Sequence, residues 1–509
     1  MFYIIALVIF GIAALFSFLS YTSSLHSSNS TQASTVSPPT TTVGSNSTTS
    51  GITTTTGNTS FSGSTQIIGN WTITYYENPL YKVVLNQSWG DNGTVHQYDG
   101  GINHRYIVNE SIGNVNITLN DTITGPPTLY KGILFVTTAG PFKYQNSAEY
   151  IFTHGSVAAI DPYKNVVLWR THLPNQIIGQ PVTVGNLIIV GMGNNEEIPP
   201  QNFSKYNNAN DGLFALNITN GHVVWSIRDG TPFMPTPAYY DGYIIAPNMN
   251  TALIVNATTG NVVHVVDTGL PDTMSSPLVV NGIAYFGAGT DNAYTSAPIN
   301  GSFTFYAVNM LTGNFVWTKS FINAGAGLND VVATYYKGII VTGYLWHSEY
   351  TNPVIVGLNA TTGKQIWMVN ETPENKIIKI IEPPANITGH SFFLTEPTMS
   401  AVTLWHGNVY ADSNFEGNLY CINATTGKPL WAFNTGQTES NPNIKDGYLY
   451  IVNDPGVLYV LNATTGALIK AEYIGMGHLS NEEVITKNSV LFTNLNGTVE
   501  TIPINDLIH

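Results

Sequence analysis

The chain of 509 residues carries very little charge: Asp, Glu, Lys and Arg make up 9 % of it, against roughly 25 % in ordinary domains. Only three residues are arginine, Arg105, Arg170 and Arg228. That scarcity, with a formal net charge of −14, excludes a basic face for nucleic acid. Cysteine is nearly absent. Cys421 is the single copy, so no intrachain disulfide can form, and an exported chain has to rely on its core and on ring closure. It sits in an apolar run and is expected to pack rather than react. No long segment after Tyr81 has helical periodicity, which argues against a helical fold class.

Asn, Thr, Ser and Tyr supply the polarity instead. Around pH 2 to 3 most carboxylates, with ordinary values near 4, are neutral, whereas amides and hydroxyls do not change. Such a surface loses few carboxylate interactions on acidification. An acidic habitat is the expectation.

What is present is a repeated phrase: a small apolar run, Asn or Asp, a turn that is usually Thr-Gly, then often Trp. Its clearest copies run from Gly357 to Trp367 and from Cys421 to Trp431. Looser copies centre on Asp161, Asn217, Asn256, Asn309 and Asn462, with Lys164-Asn165 in place of Thr-Gly in the first. Consecutive copies lie roughly 40 to 65 residues apart, the period of propeller blades. Each copy follows three short runs rich in Val, Ile, Tyr and Thr, bounded by Gly, Asn and Asp, which are antiparallel strand signals. The expected fold is all-β: an eight-bladed β-propeller of four-stranded antiparallel blades, with seven blades as the alternative. Inner strands are expected to start near Pro127, Pro181, Pro237, Pro277, Val331, Ala401, Pro442 and Glu483. The eighth copy stops before its fourth strand, so a strand from the region Trp71 to Asn120 is expected to complete it.

The turn phrase with its terminal Trp resembles the quinoprotein (PQQ-like) repeat over roughly residues 125–505. That repeat is shared by quinoprotein dehydrogenases, outer-membrane assembly scaffolds and secreted acid-stable hydrolases. A secreted, acid-adapted propeller of this length looks like the tetrathionate hydrolases of sulfur-oxidising acidophiles. This resemblance implies hydrolysis of tetrathionate to thiosulfate, sulfur and sulfate outside the cell, with an aspartate base. The alternatives are a non-enzymatic cell-surface scaffold and a PQQ-dependent dehydrogenase.

The N-terminus reads as a hydrophobic segment (1–21) followed by a disordered linker (22–65). Phe2 to Leu19 form an uncharged apolar run, a signal peptide or a membrane anchor, and a tether through residues 2–19 is one expectation. The linker is dominated by Ser, Thr, Asn and Gly, a composition that cannot bury a core. Residues 66–124 read as a β segment contributing to closure, and 125–509 as the propeller. Asn-x-Ser/Thr sequons, Asn29, Asn46 and Asn58 among them, are glycan acceptors in a secreted chain.

Blade topology puts the Thr-Gly turns on one face and nearly all loop-length variation on the other, where functional loops are expected. Asp330 lies closest to an inner-strand start on that variable face. Desolvation there is expected to raise its pKa, which suits a general base in acid. The run Tyr285 to Tyr294, then Phe305 to Trp317, then Asp330, resembles a blade of quinoprotein alcohol dehydrogenases. The resemblance puts Asp330 at the place of that family's catalytic base and Thr290 where it has a metal-binding Asn. The adjacent-cysteine pair that packs on the quinone has no counterpart, so neither PQQ nor calcium is expected. A dianionic substrate needs donors or cations. Arg228, in the connection entering the third blade, with Asn329, Asn292, Tyr294 and Thr290, is the expected binding set. The expected partner is a small anion; homo-oligomerisation stays open.

Overall fold

The computed structural model describes residues 40–42, 49–56, 59–91, 94–140, 154–193, 210–248, 250–269, 275–289, 302–322, 324–325, 332–346, 353–370, 379–384, 402–413, 417–438, 440–475 and 483–509. Pro39–His509 form one compact unit, and Met1–Pro38 lie outside the described residues.

Eight sheets follow one another along the chain. Their innermost strands begin at Thr128, Val182, Ala238, Leu278, Thr334, Thr403, Asn443 and Val484, within three residues of the sequence expectation. Blade one has Thr128–Tyr130, Ile133–Thr138, Gly155–Asp161 and Val166–Leu173 in spatial order. Blades two to seven repeat this meander. Blade eight takes three strands from the C-terminus, Val484–Ile485, Ser489–Thr493 and Thr498–Pro503, and its fourth, Asn116–Thr118, from the N-terminal side. Thr498 pairs with Thr118 and Glu500 with Asn116, so the ring is closed by strands from distant parts of the chain.

Strand pairing extends into the interval read as linker. Thr49–Thr56, Thr59–Ile68 and Trp71–Glu77 add to the outer edge of blade one, and Thr40–Thr42 adds to blade two. The physical reason is that β-branched threonine suits a strand on an open edge, whatever its failure to form a core. The run Phe2 to Leu19 lies outside the described residues. Among the described residues no helix is long and apolar enough to cross a membrane.

The repeated phrase works between blades. Asn423 accepts hydrogen bonds from the amides of Thr425 (3.1 Å) and Thr426 (3.0 Å), fixing the turn with its own side chain. The first copy uses Asp161 in the same way, and Asn165 takes the left-handed position (φ 57°) that glycine holds elsewhere. Each turn glycine then lies over the aromatic ring that ends the preceding blade. Gly427 (φ 70°) covers Trp367, whose Nε1 donates to Ala424 O at 3.0 Å. Trp169, Trp225, Trp317 and Trp431 donate likewise into the next blade's turn, and His264 faces Leu311 O at 3.0 Å in place of a tryptophan. The apolar core is accordingly a series of slabs between neighbouring blades, such as Tyr285, Trp317, Ile340 and Val356 between blades four and five.

A methyl group on Gly427 would stand 2.7 Å from the Trp367 ring. Gly427→Ala is therefore expected to lower stability by roughly 2 kcal/mol, from left-handed strain and overpacking together. Chemical denaturation read by tryptophan fluorescence measures it, with half-buried Gly242→Ala (φ 90°, no atom within 4 Å of the added methyl) reporting strain alone.

Candidate functional site

The axis of the ring is threaded by residues 95–108, which meet the innermost strand of every blade. Val95 O accepts from Thr183 N (2.8 Å) in blade two, and His96 O from Tyr239 N (2.6 Å) in blade three. Gln97 Oε1 accepts from Val279 N (2.7 Å) in blade four. After a turn, Ile102 O accepts from Thr334 Oγ1 (2.7 Å) in blade five and Asn103 O from Leu404 N (2.9 Å) in blade six. Arg105 Nε donates to Ile444 O (2.9 Å) in blade seven. Tyr106 O accepts from Ile485 N (3.1 Å) in blade eight. The Tyr106 hydroxyl reaches blade one, donating to Leu129 O (3.1 Å) and accepting from Leu129 N (2.6 Å). This belt visits the blades in chain order, and blade one last.

The turn in the belt is made by Asp99 (φ 53°) and Gly100 (φ 81°), with Gly100 N donating to Gln97 O at 3.1 Å. It places Asp99 at the axis, fully buried. The Asp99 amide donates to Gln180 Oε1 (2.7 Å), and Gln180 Nε2 to Pro127 O (3.1 Å), which ties the turn to the entrances of blades one and two. Among the described residues no protein donor reaches either carboxyl oxygen of Asp99. Glu483, at the entrance of blade eight, is also fully buried, and among the described residues no protein donor meets its two oxygens in hydrogen-bond geometry. Burial raises both acids. The Arg105 charge opposes the rise at Asp99. Glu483 is pushed up to about 8, with its own amide and that of Val452 opposing and the Asp99 charge adding. The neutral form is the one such sites stabilise.

His104 (φ 45°) lies below Tyr98, with Nδ1 3.1 Å from Tyr98 O and Nε2 2.6 Å from Ala333 O. Burial holds it down at about 4, although both carbonyls favour the charged ring. Asn441 Nδ2 donates to Tyr98 OH at 3.3 Å. The result is a floor of buried acids, amides and hydroxyls at the axis.

Of the residues expected from sequence, Asp330, Asn329, Thr290, Asn292 and Tyr294 lie outside the described residues. Val332, two positions after Asp330, packs on Tyr98. The position of Arg228 is corrected. It is the last residue of the outermost strand of blade two, Val223–Arg228, because pairing runs on past Ile227 to meet Thr40. Its guanidinium lies 4.8 Å from the Trp71 ring at the outer edge, not in a blade connection. Sequence reasoning missed Asp99, His104, Arg105 and Tyr106, and used Glu483 only as a landmark. The available signal was density: a chain that avoids charge puts His96, Asp99, His104 and Arg105 within ten residues, around Gly100-Gly101. Cys421 is buried in the third strand of blade six, and its thiol is pushed up to about 12 by burial.

The sequence matches the PQQ_2 family, described as outer membrane protein assembly factor BamB, over residues 118–292, 155–343 and 351–469. It is 24 % identical to a tetrathionate hydrolase of Acidithiobacillus ferrooxidans over 409 residues, 75 % of this chain and 73 % of that one. It is 28 % identical to a tetrathionate hydrolase of Acidianus ambivalens over 386 residues, 69 % of this chain and 68 % of that one. In fold it is similar to the quinohemoprotein alcohol dehydrogenase of Comamonas testosteroni, with a TM-score of 0.55 and 12 % identity, covering 83 % of this chain and 82 % of that one.

Proposed function

The chain belongs to the PQQ_2 family, that of the outer membrane protein assembly factor BamB, and within it we propose a hydrolase of the tetrathionate hydrolase kind, working outside the cell in acid. The observation that carries this reading is the axial floor of buried acids, Asp99 and Glu483, whose environment favours the protonated form. A neutral carboxyl at the axis does not oppose a nearby dianion, whereas a carboxylate repels it. The two relatives of that name, matched over more than two thirds of their length, support the substrate class.

In this reading tetrathionate and one water give thiosulfate, sulfur and sulfate, with release of two protons. Asp330 takes a proton from the attacking water. Asn329, Asn292, Tyr294 and Thr290 supply hydrogen bonds from the variable loops. Arg228 lies against the Trp71 ring at the outer edge and is given no role in this reading. No quinone is assigned to the channel. The one cysteine is buried inside a strand and offers no adjacent-cysteine platform, and the belt residues occupy the axis.

The test is thiosulfate release from tetrathionate by purified, folded protein at around pH 2 to 4, wild type beside Asp330→Asn. The variant is expected to lose at least about 100-fold in turnover, the usual worth of a positioned base. No release by folded wild type overturns the reading. Comparable turnover by the variant removes Asp330 as the base and leaves the substrate. A second reading, a partner-binding propeller, follows from the family's description and predicts no turnover by either protein.

A further inference from the structure

Where the ring closes, three side chains outside the axial site converge: Asp121, His154 and His172. Each comes from a different piece of the seam. Asp121 follows the closing strand Asn116–Thr118, His154 leads into the third strand of blade one, and His172 lies on its outermost strand, opposite Ser156. One donor atom from each lies within 4.8 Å of the others, and His154 Nε2 is 3.9 Å from Asp121 Oδ1.

The surroundings orient this group. Arg170 Nη2 holds Asp121 Oδ2, and Oδ1 is the oxygen nearer His154. The guanidinium is itself fixed, Nε donating to Ser156 Oγ and Nη1 to Leu119 O, each at 2.8 Å. A ligating carboxylate positioned by an outer hydrogen-bond donor is the usual arrangement around protein-bound metals. The Tyr76 ring packs edge-on against His172 at 5.3 Å. Burial first, then the charges of Arg170 and His154, hold His172 down to about 3.

We propose that Asp121, His154 and His172 bind one divalent transition-metal ion of the zinc type at near-neutral pH, as a clasp on the ring seam. Two imidazole nitrogens and one carboxylate oxygen suit such borderline cations, with water completing the shell. Bonds of about 2.1 Å set tetrahedral donors about 3.4 Å apart, so the group has to contract by roughly 1 Å. His154, whose side chain is 39 % exposed, has room to do so. The Arg170 charge weakens the site relative to tight structural zinc sites.

The experiment is titration of metal-free, full-length protein with Co²⁺ at pH 7, read by visible d–d absorption, with Zn²⁺ and the thermal midpoint as a second readout. Wild type is expected to take up one equivalent with a d–d band and to melt higher with Zn²⁺. Both effects are expected to fall at least tenfold in affinity in His154→Gln and in His172→Ala. His154→Gln changes a half-exposed side chain, and an unchanged metal-free melting midpoint shows that it folds. It decides the matter if His172→Ala does not fold. Wild type without a d–d band, or His154→Gln binding like wild type, overturns the clasp.

Discussion

Tyr106→Ala is expected to destabilise the protein by roughly 3 to 5 kcal/mol, the usual cost of emptying a buried aromatic site. Tyr106 is 2 % exposed and spans the inner wall of the seam. Its carbonyl is held by Ile485 of blade eight and its hydroxyl by both the amide and the carbonyl of Leu129 of blade one. The truncation leaves a cavity at the axis and a buried Leu129 amide without its partner. Tyr106→Phe separates the two effects. It keeps the ring and is expected to cost about 1 to 3 kcal/mol, the desolvation penalty of the orphaned amide. Equilibrium denaturation of the three proteins measures both numbers, and a Phe variant as stable as wild type would show that the hydroxyl does not clamp the seam.

A second large effect depends on pH. Glu483 is raised from 4.5 to about 8, so between those values the folded protein holds a proton that the unfolded chain has released. Its contribution is fully present below about pH 4.5 and is lost as pH rises through about 8. Asp99, raised by the same burial, behaves in the same sense. His104, held down at about 4, acts oppositely: its contribution is present above about pH 6.5 and is lost as pH falls through about 4. Comparing Glu483→Gln with wild type cancels the His104 contribution. The variant is expected to gain relative stability at up to about 1.4 kcal/mol per pH unit from about pH 4.5 to about pH 8, and to level off on either side. Melting midpoints of both proteins across pH 3 to 9 record this, and a constant difference across that range would contradict it.

The ring was legible because its signals are local and repeated. Val182, Leu278 and Asn443 each follow a proline that marks an inner-strand start, and each Thr-Gly turn fixes its own register through one asparagine. The borrowed closing strand was legible as a deficit, since the eighth copy runs out of chain. The belt was not. Its residues have no periodicity, because a segment that bonds to eight different strands alternates with none of them. The partners of Asp99 lie in distant parts of the chain, Gln180 in blade two's entrance and the Glu483 carboxyl in blade eight's. Arg228 was misplaced for a related reason. Its strand is lengthened by pairing with Thr40, far away in sequence and in a stretch that reads as linker.

The belt also acts as a gauge on the evolution of the ring. Its backbone and side chains provide one docking position for each blade, in chain order, and residues 95–108 use all of them. The belt precedes every blade in the chain, and at its end Tyr106 meets blade one while Tyr106, Ile107 and Val108 meet blade eight, so the two blades of the seam share one docking stretch. A ninth repeat gained by duplication would meet no docking position, and a lost repeat would leave one bare in the interior. The number of blades in this protein is therefore written twice, once in the repeats and once in a short stretch that resembles none of them.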